Sequence, residues 1–454
     1  MDVFGTAGIR GDVRDQVTPS LALSVGHAVG VDAETVVIGR DGRVTGQSLA
    51  AAVAAGVTSA GARALRAGML PTPALAKASE GRYGIMLTAS HNPPSDNGLK
   101  LFIDGEEYDS DLEATIEDRL ASTHEPTTWD RFGSVERISP LDTYRAAVVD
   151  YATSIATPGE LSALTVVVDC ANGMAALATP QVLRSLGAHV ITLNGNVDGH
   201  FPGRPSKPTP VTLSDCRAMV ASTEGPVIGI GHDGDADRIV VIDSEGEIVH
   251  EDTILAVLAE HYVRRSDADE PVVLTTPNAS DRIDERVRIA GGRTERTRLG
   301  YLHDGIERRR NAGETVAFAG EPWKHVHPAF GPWIDGVVSA AVLTALIASE
   351  SDGLNGVREP ITERPYRKVN VDCPDELKVP VMNRLETKIP AAFPSATIST
   401  DYGVRVSLPD DSWTLVRPSG TEPYVRVYAE SPTVDDLIGT VRDVVTETVE
   451  NVDV

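Results

Sequence analysis

Thr88-Ala-Ser-His-Asn-Pro-Pro-Ser-Asp-Asn-Gly-Leu-Lys100 is the stretch from which the rest of the chain can be read. Residues 84–87 before it are an apolar run of strand length, and residues 99–103 after it read as a second. The loop between them is built of His, Asn, Pro, Ser and Gly, the residues that turn a chain sharply. Ser90 therefore falls where a buried strand ends, at a turn that can expose its hydroxyl. Thr88, His91 and Asn92 crowd it, and Lys100 can fold back from the following strand. A serine in that company can act as a nucleophile or carry a phosphoryl group, because donors and a cation stabilise the developing charge. The same residues also suit an ordinary Asn-Pro turn. The remainder of the chain decides.

Outward from this loop, strand and helix patterns alternate, as a layered α/β fold requires. Residues 35–39 read as a strand running into Arg-Asp-Gly-Arg43, and the Ala-rich residues 48–65 as a helix. The opening Phe4-Gly-Thr-Ala-Gly-Ile-Arg10 is glycine-spaced with one arginine, suited to close approach to an anion or to a flexible arm. A second αβ unit starts with the strand 165–169 and reaches the strand 226–230 through a Pro-rich link, Phe201-Pro-Gly-Arg-Pro-Ser-Lys-Pro-Thr-Pro210. Directly after that strand stands His232-Asp-Gly-Asp-Ala-Asp-Arg238, and then the strand 239–242. Asp233, Asp235 and Asp237 at alternate positions can converge on one hard divalent cation. The loop is not an EF-hand, since its sixth and twelfth positions are Arg238 and Ser244, where that loop needs Gly and Glu. The formal GxGxxG from Gly229 to Gly234 precedes a β-branched strand and opens no helix, which excludes a dinucleotide fingerprint. A solvent-facing acidic turn is the plainer reading, although three carboxylates so close repel unless a cation compensates.

A third αβ unit runs from about residue 253, and its strand 315–319 delivers Gly320-Glu-Pro-Trp-Lys-His325. Glu321 and His325 at a strand end can bind hydroxyls, and Trp323 can stack on a sugar face or merely plug a turn. The last region differs, with strands at 368–371, 403–407, 413–416 and 424–429 around one helix near 380–387. Between its last two strands lies Arg417-Pro-Ser-Gly-Thr-Glu-Pro423, where hydroxyls, glycine N–H groups and an arginine make an anion nest for a phosphate. Together the loops offer a phosphorylatable hydroxyl, a metal site, a hydroxyl-binding loop and a second phosphate site. That set serves phosphoryl transfer on a phosphosugar.

Composition narrows the alternatives. At 454 residues the chain exceeds one hydrophobic core, so two to four domains are expected. Cys170, Cys216 and Cys373 are sparse and lack CxxC spacing, which speaks for a reducing compartment and against a thiolate zinc site. No charged-then-apolar leader follows Met1, and the longest apolar run, 337–348, is too short to span a bilayer, so a soluble, cytoplasmic protein is expected. A net charge of −25 argues against nucleic acid and anionic membranes as partners. Seven lysines stand against 34 arginines. So acidic and lysine-poor a surface suits the high intracellular salt of a halophilic archaeon, where screening removes self-repulsion.

The motifs in this order resemble the α-D-phosphohexomutase family, which includes phosphoglucomutase, phosphomannomutase and phosphoglucosamine mutase. The resemblance spans the chain. Thr88 to Pro93 is similar to the phosphoserine loop, Asp233 to Arg238 to the magnesium loop, Gly320 to His325 to the sugar loop and Arg417 to Thr421 to the phosphate-binding loop. It implies four domains around a central cleft: three similar αβ domains at 1–150, 151–252 and 253–362, and a smaller α+β domain at 363–454. It implies a phosphoserine at Ser90, and Mg2+ held by Asp233, Asp235, Asp237 and a phosphoryl oxygen on Ser90. Arg10, His91, Lys100 and His325 would serve the transfer. Glu321 and Trp323 would meet the sugar, and Arg417, Ser419, Gly420 and Thr421 its distal phosphate. The implied reaction interconverts hexose 1- and 6-phosphates of glucose, mannose or glucosamine through a hexose 1,6-bisphosphate that also acts as activator, in a monomer or homodimer. The family pattern has a small polar residue at Trp323 and Gly at Lys324, so the sugar loop departs from it. A glucosamine-specific mutase, a metal-dependent phosphatase and a non-catalytic phosphosugar-binding relative are the competing readings.

Overall fold

The computed structural model describes residues 3–5, 8–122, 125–155, 161–419 and 422–452. Among the described residues the strands form four sheets. In the first, Thr35–Arg40 lies between parallel neighbours Arg63–Met69 and Tyr83–Leu87, and Asp96–Ile103 turns back antiparallel to the latter. The second repeats the plan with parallel Thr165–Asp169, His189–Leu193 and Val227–His232 and antiparallel Ile239–Ile242. The third does so with Val272–Thr275, Arg293–Arg296 and Val316–Glu321, closed by antiparallel Lys324–Val326.

In each sheet the chain thus leaves the carboxyl end of a parallel strand, turns, and comes back. The three turns hold Ser90, the aspartates 233–237 and Pro322-Trp323. One piece of topology, used three times, delivers three of the four loops singled out in the sequence. Open α/β sheets present ligand sites at these carboxyl ends. Each turn also holds a non-glycine residue at positive φ: Ser90 at 50°, Ala236 at 65° and Trp323 at 67°. L-residues adopt that region at some cost, and surrounding contacts must hold them there.

Alternation along the strands divides the cores. Val36, Ile38, Ile85 and Leu87 face the helices Pro19–Gly30 and Gly46–Ser59. Val37, Met86 and Phe102 face the other way, into a core shared with Val166, Ile228, Val273 and Phe318 of the next two sheets. The helix Gly336–Ser349 lies inside that shared core and is apolar on nearly every side, as a helix surrounded by protein must be. The helix expected to run to residue 65 ends at Ser59, because Gly61 takes φ 99° and Arg63–Met69 then pairs as a strand.

The fourth sheet is antiparallel throughout, in the order Tyr366–Asp372, Tyr424–Glu430, Trp413–Pro418, Val404–Ser407, Thr397–Ser399. Helices Asp375–Ala392 and Val434–Glu450 cover one face. The second was not anticipated, although Val434, Leu437, Ile438 and Val441 carry the helical spacing.

This last unit is tied to the third sheet by charges buried at the seam. Arg282 donates to Glu430 at 3.0 Å with both side chains 1% exposed, and Trp413 Nε1 donates to the other oxygen at 3.1 Å. Removing one partner strands a charge away from water, at a cost of about 3–5 kcal/mol. Glu430→Ala is therefore expected to lower the urea midpoint markedly and to split off an early transition belonging to the C-terminal unit. An unchanged midpoint would show that the seam does not depend on this pair.

Candidate active site

Ser90 is held by its main chain. Its N–H donates to Thr88 Oγ1 at 2.9 Å, and Thr88 Oγ1 donates to Asp41 Oδ2 at 2.8 Å. Arg43 then binds the loop from behind. Its guanidinium donates to the carbonyls of Ser90 at 3.0 Å, Asn92 at 2.8 Å and Asp96 at 2.8 Å, and to Asp41 Oδ2 at 3.0 Å. Such a fixed fork of donors, buried to 1% exposure, suits a loop whose carbonyls would otherwise be stranded. The Ser90 backbone is over-determined, which explains how its positive φ is kept.

The side chain is left for chemistry. Ser90 Oγ donates to Asp233 Oδ2 at 2.7 Å and lies 3.3 Å from His91 Nδ1. Burial, then Arg238 and Arg10, push the His91 imidazole down to about 3, so at neutral pH the ring is uncharged. The two loops touch at Gly234, where a Cβ would stand 2.5 Å from the Ser90 carbonyl. Only glycine allows that approach.

Asp233, Asp235 and Asp237 are each at most 1% exposed and offer ligand atoms within 4.8 Å of one another. Thr72 Oγ1 fixes Asp235 at 2.6 Å, and Lys100 Nζ donates to Asp237 at 3.0 Å. Burial, then Asp237 and Asp235, push the Asp233 carboxyl well above the usual range. Burial acts in the same sense on Asp237, but Lys100, Arg238 and Lys324 outweigh it and hold that group low. Asp235 Oδ1 and Asp237 Oδ1 are buried with no hydrogen-bond partner. Orphaned carboxylate oxygens around a common point are what a small divalent cation satisfies, so the residues present fit a metal.

Beside the triad lies a chamber lined by Lys100, Glu107, His303, Glu321, Lys324 and Trp333. Lys100 Nζ reaches Glu107 Oε1 at 3.3 Å as well as Asp237. Burial alone would lower the Lys100 ammonium, but Glu107 and Asp237 raise it well above its ordinary value. Across the chamber Glu321 accepts from Lys324 Nζ at 2.9 Å and from Gly300 N at 3.2 Å. Arg417, on the fourth sheet, donates to Tyr428 Oη at 2.9 Å, and its Nε is buried without a partner. Ser419 follows it, its carbonyl accepting from Lys378 Nζ at 2.7 Å. Gly420 and Thr421 lie outside the described residues.

Residues 1–127, 142–246 and 369–448 match the phosphoglucomutase/phosphomannomutase alpha/beta/alpha domain I, alpha/beta/alpha domain II and C-terminal domain. The chain belongs to the phosphoglucomutase/phosphomannomutase family. It is 41% identical to a phosphopentomutase of Thermococcus kodakarensis, over 95% of this chain and 94% of that protein. It is 40% identical to a probable phosphoglucosamine mutase of Methanopyrus kandleri, over 94% and 93%. A solved family structure from Burkholderia thailandensis superposes with a TM-score of 0.85 at 26% identity, covering 99% of this chain and 97% of that one. Phosphomutases are isomerases that move a phosphoryl group within a sugar phosphate, and that is the enzyme class of this family member.

Two side chains expected at the site of a family member stand elsewhere. Across the two-residue turn, Glu321 pairs with Lys324 and Gly320 with His325, so the pleat sends His325 to the opposite face from Glu321. His325 is 1% exposed, with Nδ1 3.0 Å from Ser339 Oγ inside the shared core, and is absent from the chamber lining. The histidine that does line the chamber is His303. Trp323 turns toward the second sheet, where it lines a groove with Pro208, Arg238 and Ile248 and does not reach Glu321's chamber. Glu107, His303, Asp41 and Arg43 were missed, since nothing local in the sequence joins them to Ser90 or Lys100.

The buried histidines give a pH prediction. Burial holds His325 down to about 3 and His327 well below its usual value, so the fold keeps both neutral. The unfolded chain takes up protons near pH 6.5 while the folded chain does not. Stability is therefore intact above about pH 6.5 and falls as the pH drops below it, by about 1.4 kcal/mol per histidine per pH unit. Buried carboxyls such as Asp335, pushed up to about 6 by burial, act in the opposite sense. In molar KCl, which screens the acidic surface, the urea midpoint should therefore fall from pH 7.5 to 5.5 more steeply in wild type than in His325→Gln or His327→Gln. Equal slopes in wild type and variants would contradict this.

Proposed function

We propose that the protein is a sugar-phosphate mutase that moves a phosphoryl group between the anomeric oxygen and the terminal hydroxyl through a phosphoserine at Ser90. The observation that carries this reading is the Ser90 hydroxyl 2.7 Å from Asp233, in a buried aspartate triad two of whose oxygens have no hydrogen-bond partner. Asp233, Asp235 and Asp237 would hold Mg2+, with an oxygen of the phosphoryl group on Ser90 as a further ligand. The ion would neutralise charge on the transferring group. This chain's own residues do the rest. Lys100, kept charged by Glu107 and Asp237, stabilises charge on the phosphoryl oxygens and can return a proton to the departing sugar oxygen. Arg10, on the strand beside Gly98, adds a second positive charge next to His91. Glu321 would accept from sugar hydroxyls. Arg417, Ser419, Gly420 and Thr421 would hold the phosphate that is not reacting, so that the bisphosphate intermediate can turn over between the two transfers.

This reading divides the chain into domains at 1–150, 151–252, 253–362 and 363–454. It takes the acidic surface as an adaptation to high salt and the protein as cytoplasmic. Among the described residues no helix is long and apolar enough to cross a membrane. Hexose phosphates of glucose, mannose or glucosamine are one substrate class. Pentose phosphates are the second, favoured by Lys324 in the sugar loop and by the phosphopentomutase relative. The reaction itself is tested by supplying sugar 1-phosphates with Mg2+, molar KCl and a trace of the matching bisphosphate. Appearance of the terminal phosphate supports the mutase. Release of inorganic phosphate alone would make the protein a phosphatase, and binding without turnover a non-catalytic relative.

A further inference from the structure

Resting on the mutase reading, the geometry points to Lys324 as the residue that selects the sugar, and to a pentose phosphate as the sugar selected. Lys324 and Glu321 are cross-strand neighbours on the same side of the hairpin, and their side chains are 16% and 6% exposed. Lys324 lines the same chamber as Lys100, Glu107 and Glu321, and its ammonium meets Glu321 at 2.9 Å, so its side chain lies within that chamber. Where the family pattern has glycine, this chain therefore places a four-carbon side chain in the sugar's path.

The main chain that carries the lysine is anchored. It bridges Arg238 of the metal loop, and the preceding Trp323 carbonyl accepts from Ile239 N at 3.1 Å. The walls opposite are fixed as well: Leu302, Val326 and Trp333 are each no more than 3% exposed. The space left among them is about 20 Å³. That is room for about one water molecule. A sugar must push the ammonium off Glu321 and then share the chamber with it.

A five-membered ring asks least of that shared space. Its neighbouring hydroxyls at C2 and C3 can replace the internal ion pair in kind, one donating to Glu321 and the other accepting from Lys324. The transfer is unchanged in form. The phosphoryl group on Ser90 passes to O5 of a pentose 1-phosphate, giving the 1,5-bisphosphate and a free serine. The C1 phosphoryl then returns to Ser90 and leaves the 5-phosphate, and the proton lost from O5 is matched by one delivered to O1.

The test compares kcat/KM for ribose 1-phosphate, 2-deoxyribose 1-phosphate, glucose 1-phosphate and glucosamine 1-phosphate in wild type, Lys324→Gly and Lys324→Met. The expected result is that wild type prefers ribose 1-phosphate and that loss of the 2-hydroxyl weakens turnover. Lys324→Gly should shift the ribose-to-glucose ratio toward glucose on the order of tenfold, the usual scale for added room in a pocket. Lys324→Met, which keeps the bulk without the charge, should retain the ribose preference at a lower rate. A wild-type preference for glucose 1-phosphate would overturn the inference while leaving the mutase intact, as would an unshifted ratio in Lys324→Gly. Failure to isomerise any of the four would sink the mutase reading and this inference with it.

Discussion

Ser90→Ala is expected to abolish mutase turnover, lowering kcat by at least about a thousandfold, or roughly 4 kcal/mol of barrier. The Ser90 hydroxyl stands 2.7 Å from Asp233 of the triad, and alanine offers nothing in its stead. The variant should nonetheless fold. The bonds that shape the loop run from Thr88 to the Ser90 N–H and from Arg43 to the Ser90 carbonyl, and alanine keeps both. What is lost is the donation from Oγ to Asp233, a change of about 1 kcal/mol. A melting temperature near that of wild type together with loss of turnover would separate a chemical role from a structural one. A variant retaining activity within tenfold of wild type would remove Ser90 from the reaction.

Removal of divalent metal should have a comparable effect on activity and an additional one on stability. Asp233 and Asp237 share the positive charges of Lys100 and Arg238, and Asp235 Oδ1 and Asp237 Oδ1 have no hydrogen-bond partner. Chelation should therefore stop turnover, with Mg2+ restoring it. Because the cation binds the folded triad and has no comparable site in the unfolded chain, added Mg2+ should stabilise by about 2.7 kcal/mol at a hundred times its Kd. Asp235→Asn should separate the two effects. The variant relieves repulsion in the metal-free protein, so it should melt no lower than wild type under chelation while losing most of the response to Mg2+. Full activity after exhaustive chelation would count against the metal assignment.

The parts of this site that could be read from sequence are those carried by short continuous stretches. The strands at 165–169 and 239–242 stand at the predicted bounds, and the Ser90 and aspartate loops follow strands as expected. Their apolar runs are short and end in turn residues, which leaves little choice of register. What escaped the sequence is long-range or directional. Arg43 supports a loop nearly fifty residues away, and its own surroundings, Arg-Asp-Gly-Arg, resemble any polar turn. Glu107 meets Lys100 because the strand Asp96–Ile103 turns back on itself at Glu106–Glu107, a local hairpin visible only once paired. His325 was misplaced for a reason the sequence did contain. Glu321 and Lys324 flank a two-residue turn, so they share a face, and the next residue must point the other way. The repeated strand–turn–return unit was likewise hidden, since the three turns share no residues and only the pairing shows them to be equivalent.

The central claim is that Ser90 carries a phosphoryl group reloaded in every cycle. It is tested most directly by exposing purified protein to a sugar bisphosphate labelled in its phosphoryl groups, then locating the label on peptides by mass spectrometry. The account predicts one labelled phosphate on the peptide containing Ser90, discharged into sugar bisphosphate when unlabelled sugar 1-phosphate is added. Label found only as inorganic phosphate, or on a residue other than Ser90, would contradict it.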